Sequence, residues 1–281
     1  MCIRDSRRLV RVYGRNVELP SVVSLDLPEA NSEAPELRVI LGRGRGEAIV
    51  HNTGMSMWFE DAELTIDVPE AYGPLASEHL ILDHGVPIAL AMMGDVILHS
   101  AGLEKNGAGI VLLGDSGRGK SVTSQYLGSR GWRILSDDAV RIEIDDESIT
   151  MWPGYDGVRL HEHSFGVLGA DLDQRERVAE YGTKRRLSGQ QDFTIDSAPL
   201  RTAFALGPED SELTAEPLSP SRLLAMLTAS AFNPPANPSA AIDRLDTMTP
   251  FAERLNGYEL RFERTEGILR GLEEVLASLT S

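Results

Sequence analysis

The sequence predicts an α/β fold in which a phosphate-loop core over residues 76–281 follows a smaller β-rich region over residues 7–75. Three observations carry this. Residues 114–121 read Gly-Asp-Ser-Gly-Arg-Gly-Lys-Ser, the pattern G-x-x-x-x-G-K-[ST], between an apolar run and a helical stretch. The apolar run, residues 109–113, begins at a glycine and is followed by one, as buried parallel strands often are. Before residue 70, period-two alternation recurs between Gly, Pro and Asn, with no long helical period.

The composition fits such a fold. With 281 residues, 42% hydrophobic and 25% charged, the chain can bury a core as one large domain or a core with an appendage. Its charge of −16 and pI near 4.8 argue against nucleic acid and anionic membrane as partners. Cys2 is the only cysteine, which excludes a disulfide framework within the chain. The stretch from Leu80 to Leu98 is broken by Asp83, His84, Pro87 and Asp95, a pattern unlike a membrane span. Residues 1–20 hold no apolar run of signal-peptide length, so the expectation is a soluble cytoplasmic protein.

Taken in order, residues 8–14, 37–41, 57–59 and 62–68 read as strands. Leu75 to Met93 reads as a helix pair or kinked helix, with Gly85 and Pro87 at the break. Residues 96–99 and 109–113 follow as strands, then a helix from Ser121 to Leu127 that ends at Gly128 or Gly131. Residues 132–136 form the next strand and run into Asp137 and Asp138, and residues 140–152 read as a hairpin. In the tail, 200–206 and 258–263 are strands. Residues 221–232, 240–255 and 266–279 are helices, the first capped by Ser219 or Ser221.

The loop at 114–121 is the motif that carries chemistry. Gly114, Gly117 and Gly119 let the backbone turn so that amide N–H groups face phosphate oxygens, with Asp115, Ser116 and Arg118 between them. The helix start adds its positive end at Lys120, Ser121 and Val122. Lys120 is one of only three lysines; it sets a point charge against the β- and γ-phosphates, and Ser121 offers a hydroxyl to Mg²⁺. The strand ending in Asp137-Asp138 returns after one helix, so its carboxylates should reach the same crevice. One could serve Mg²⁺ and the other accept a proton from an attacking hydroxyl.

These residues resemble a known family. His99, the loop 114–121 and Gly131-Trp132-Arg133-Ile134-Leu135-Ser136-Asp137-Asp138 together look like the catalytic core of HPr kinase/phosphorylase, over about residues 96–160. The spacing is the specific part: the first aspartate stands seventeen residues after Lys120. The resemblance implies a P-loop kinase core of the phosphoenolpyruvate carboxykinase type with a mixed sheet. It implies ATP and Mg²⁺, and transfer of phosphate to a serine hydroxyl of a peptide or small protein, with a homo-oligomer as an open alternative. It implies Asp137 as base, Asp138 with Ser121 on the Mg²⁺ side, and His99 beside the pair. The layout is similar to HPr-kinase-like proteins of bacterial gene clusters, including those that phosphorylate lasso-peptide precursors.

Two features depart from the family pattern. Val122 stands where glutamate is usual, and residues 152–160 stand where the family carries a glycine-rich signature, so reverse phosphorolysis is not implied. Thr183-Lys184-Arg185-Arg186 is a cationic run in an acidic chain, and Arg185 is the candidate to stabilise the transferring phosphoryl group. His161-Glu162-His163 lacks a third metal partner nearby in the sequence. A small-molecule hydroxyl kinase and a nucleotide-binding regulatory ATPase or sensor are the alternative functions.

Overall fold

A computed structural model describes residues 7–25, 27–156, 158–162, 176–177, 184–187, 196–232, 238–263 and 265–280. The N-terminal strands are β1 (Arg7–Val12), β2 (Arg15–Pro20), β3 (Leu37–Leu41), β4 (Ile49–Val50), β5 (Ser56–Glu60) and β6 (Glu63–Asp67). They form one mixed sheet in the order β1-β2-β3-β6-β5-β4. Val12 pairs Arg15, which leaves Tyr13 and Gly14 as a two-residue turn with φ of 54° and 69°, as tight hairpins with right-handed twist require. Tyr13 is buried and its hydroxyl donates to the Leu82 carbonyl at 3.3 Å, so this turn is pinned to the helical segment that follows.

That segment is continuous: α1 (Pro74–Leu80), a single π turn (Ile81–Gly85) and α2 (Val86–Met92). Leu80, Ile81, Leu82, Val86, Ala89 and Leu90 share one core cluster with Val10, Val12, Val39, Leu64 and Ile66 of the sheet. The expected boundary at residue 75 therefore lies just before a helical segment whose buried residues from Leu80 to Leu90 pack on the N-terminal sheet. Gly85 permits this close approach, since a Cβ there would lie 2.7 Å from Ile66 Cδ1.

The second unit is built on a nine-stranded mixed sheet. Its strands are β7 (Val96–Leu98), β8 (Ala101–Lys105), β9 (Ala108–Leu113), β10 (Arg133–Ser136), β11 (Val140–Ile144), β12 (Ile149–Trp152), β16 (Ala198–Leu206), β17 (Thr214–Pro217) and β18 (Asn256–Arg261). β13 (Val158–His161), β14 (Glu176–Arg177) and β15 (Lys184–Leu187) make a separate three-stranded sheet. The helices are α3 (Lys120–Gly128), α4 (Pro220–Ser230), α5 (Pro238–Arg254) and α6 (Glu266–Thr280). Ser219 caps α4, accepting from Arg222 N–H at 3.3 Å.

The apolar run at 109–113 is explained by burial on both faces. Ile110 and Leu112 pack with Leu127, Leu269 and Leu272 of α3 and α6, while Val111 and Leu113 pack with Leu223, Leu227 and Phe251 of α4 and α5. β9, β16 and β18 run parallel. β10 is not beside β9: antiparallel β8 lies between them, and two antiparallel steps leave β10 and β9 pointing the same way. The two units are tied by Asp95, whose carboxylate takes Arg15 at 2.7 Å and Arg141 at 2.9 Å. Among the described residues, no helix is long and apolar enough to cross a membrane.

Candidate active site

The sheet topology brings three segments to one edge. β9 ends at the phosphate loop, and β10, pointing the same way, ends at Asp137-Asp138. β8 starts opposite the end of β9, with Ala101 paired to Leu112, so the β7–β8 turn that carries His99 falls at that edge too. Leu98 pairs Val140, which draws His99 toward the aspartates.

The loop has the backbone its sequence demands. Gly114, Gly117 and Gly119 have φ of 146°, 83° and 86°, and Gly119 is the N-cap of α3. Asp115, Ser116 and Gly117 are exposed at the loop tip. Arg118 N–H closes a turn onto the Asp115 carbonyl at 3.1 Å. Lys120 is buried, with its ammonium donating to the Gly114 carbonyl at 2.7 Å, so the charge is held across the mouth of the loop. Val122 turns its side chain into the core shared by α3 and α6, which leaves only its backbone to face a phosphate.

The two members of the acidic pair have different surroundings. Asp137 is buried and enclosed by donors: Ser124 Oγ at 3.0 Å on one oxygen, Arg159 N–H at 2.9 Å on the other, and the Ser121 side chain. Burial pushes its carboxyl up, against the opposing pull of Arg159. Asp138 is 18% exposed, with Oδ1 3.8 Å from His99 Nδ1 and Oδ2 3.5 Å from Arg159 Nη2. His99 is 37% exposed, its backbone N–H donating to the Ser230 carbonyl at 2.6 Å and its ring edge-on to Phe232. Asp137 therefore lies against the loop serine and Asp138 against the open histidine.

Behind the pair lies a buried polar network. Arg159 bonds Asp83 through Nη1 and stands 3.0 Å from His79 Nδ1. Asp83 is wholly buried and also accepts from Tyr155 and pairs with His79. Burial opposes the charge on Asp83, but Arg159 and His79 outweigh it and hold its carboxyl well below the usual range. His84 packs beside His79 and His51; burial lowers it to about 4, so it is neutral at physiological pH. Among the described residues no cluster of His, Cys, Asp or Glu could hold a metal by itself.

Of the remaining candidates, Arg185 sits on β15, in register with Leu160 of β13 and Arg177 of β14, and its side chain lies outside the described residues. His163 lies outside them as well. Sequence reasoning missed Arg159, Asp83, Tyr155 and Ser124. A usable signal existed for one: Asp83 is a charge inside an otherwise apolar helical stretch, which calls for a buried partner.

The donor set at this edge is a hydroxyl and a buried carboxylate, Ser121 beside Asp137, at the head of the glycine loop; hard oxygen ligands of this kind are the type that suits Mg²⁺. No family model matches the chain. A stretch of 142 residues is 30% identical to the HPr kinase/phosphorylase of Geobacillus sp. (strain WCH70), covering 46% of this chain and 44% of that protein. Shorter stretches match the enzymes of the same name from Bacillus cytotoxicus (35% over 75 residues; 27% and 23% of the two chains) and Clostridium beijerinckii (38% over 72 residues; 25% and 24%). The chain thus spans less than half the length of the curated relatives it matches. A solved Hpr(Ser) kinase/phosphatase from Coxiella burnetii aligns at a TM-score of 0.36 and 10% identity, over 65% of this chain and 94% of that one.

Proposed function

We propose that this HPr kinase-like chain is an ATP-dependent kinase that transfers the γ-phosphoryl group to a serine hydroxyl of a peptide or small protein. The observation that carries the reading is the phosphate loop flanked on one edge by a buried aspartate against Ser121 and a half-open Asp138–His99 pair. Phosphoryl transfer asks a protein mainly for position and charge, and this edge offers both.

In this reading Lys120 and the loop amides hold the β- and γ-phosphates. Ser121 and Asp137 are the residues that would hold Mg²⁺, whose chemistry is to neutralise phosphate charge. Asp138, oriented by His99 and Arg159, accepts the proton of the acceptor hydroxyl. The hydroxyl oxygen then bonds to the γ-phosphorus as the bond to the bridging oxygen breaks, and ADP leaves. Asp138 is the better base on geometric grounds, because it is the more exposed of the two and stands beside the open His99, while Asp137 is buried against Ser121 and Ser124. Arg185 remains the candidate for charge on the moving phosphoryl group.

The test is incubation of the protein with γ-³²P-ATP, Mg²⁺ and a degenerate serine peptide library, beside a Lys120→Ala variant. Wild type labels peptide serine; the variant folds but loses ATP affinity by at least tenfold and does not label. Equal ATP affinity and labelling in both proteins would remove the loop from the site. Label on a small hydroxylated molecule instead of peptide would overturn the acceptor class.

A further inference from the structure

Arg159 spans the gap between the acidic pair and the N-terminal unit. Its backbone N–H holds Asp137 at 2.9 Å, Nη2 faces Asp138 at 3.5 Å, and Nη1 bonds Asp83 on the π turn. The side chain is 4% exposed, and Nε is buried without a hydrogen-bond partner among the described residues. A guanidinium is a planar fork, so fixing one arm on Asp83 fixes where the other arm can stand. Asp83 in turn is held by Tyr155 and His79. His79 and Asp83 lie four residues apart on the segment that packs on the N-terminal sheet.

The π turn gives this arrangement its second support. Such turns are rare and are found frequently at functional sites. Here the turn contains Asp83 and the Leu82 carbonyl that receives Tyr13 from the β1–β2 hairpin. A buried ion pair kept only for stability is exchangeable for apolar side chains at little cost. This one instead ends on the carboxylate that faces the open histidine.

We infer that Arg159 is a positioning residue for Asp138 and that the N-terminal unit, through Asp83, sets its place; the inference rests on the kinase reading above. The β-rich unit is then a working part of the transfer site. It acts on the transfer step rather than on nucleotide binding, because the guanidinium of Arg159 joins Asp83 to Asp138, whereas its hold on Asp137 is through the backbone N–H, which side-chain substitution leaves in place.

The experiment compares wild type with Asp83→Asn, Arg159→Lys and the double variant, using ATP·Mg²⁺ titration and single-turnover labelling of the serine peptide library. ATP affinity stays within about threefold in all four proteins. Transfer falls about 10- to 100-fold in each single variant, and the double variant is no slower than Arg159→Lys, since both changes break one chain of contacts. A shared structural defect would lower affinity and transfer together. If Asp83→Asn does not fold, Tyr155→Phe removes one hydrogen bond to Asp83 and is read in the same way, with a smaller loss.

Asp83→Asn that transfers at the wild-type rate, or losses that multiply in the double variant, overturns the inference. Wild type that labels no acceptor sinks the kinase reading instead. The arrangement is then read by nuclear magnetic resonance: a slowly exchanging Arg159 Nε–H signal in wild type that vanishes in Asp83→Asn supports it. A signal unchanged by the substitution refutes it.

Discussion

Replacing each aspartate of the pair by asparagine should separate their roles. In Asp137→Asn the amide keeps one acceptor, which stays on Arg159 N–H at 2.9 Å, and turns its NH₂ toward Ser124. The Ser124 hydroxyl can swing its proton to the Ser121 carbonyl, already 3.2 Å away, and accept from the new amide. The bonds from Ser124 and from the Ser121 side chain are weakened, each worth about 1 kcal/mol, while the desolvation cost of a buried charge is relieved. The melting temperature should therefore move by no more than about 2–4 °C. ATP binding should lose its dependence on Mg²⁺, because the carboxylate behind Ser121 is gone. In Asp138→Asn, ATP·Mg²⁺ affinity should hold, while single-turnover transfer falls about 10²–10⁴-fold, or about 2.7–5.4 kcal/mol of barrier. Titration at several Mg²⁺ concentrations and rapid-quench labelling read the two effects apart. Reversed phenotypes would restore Asp137 as base, and two variants near wild type would end the assignment of this edge as the transfer site.

Two further predictions follow from the buried network and the core. Asp83 has its folded pKa depressed below the unfolded carboxylate value near 3.9, so its contribution to stability is complete above that value and is lost as pH falls through the acid range toward its folded value. Urea unfolding from pH 7 to pH 3 should show stability declining below about pH 4, more shallowly in Asp83→Asn; an identical slope in both would refute the assignment. Removal of residues 1–75 should expose the apolar face of residues 80–90, which packs on the N-terminal sheet, and give a chain that aggregates. Size-exclusion chromatography decides this, and a monomeric, ATP-binding remainder would show the unit to be dispensable.

The backbone of the loop at 114–121 was legible in the sequence because its determinants are local. The glycine φ angles and the helix start at Lys120 all lie within eight residues. The run at 109–113 was legible too, since a strand covered on both faces must be apolar throughout. Asp137 and Asp138 could be found as a pair but not told apart, because adjacent residues at a strand end face different neighbours, and the sheet decides which. With β8 between β9 and β10, Asp137 turns to Ser121 and Ser124 and Asp138 to His99. The π turn and its partnership were beyond the sequence for a related reason. Arg159 and Asp83 stand 76 residues apart, and nothing local in either says that burial will force them together. Local chemistry fixes what a short segment can bind; only packing decides which distant charge must satisfy a buried one.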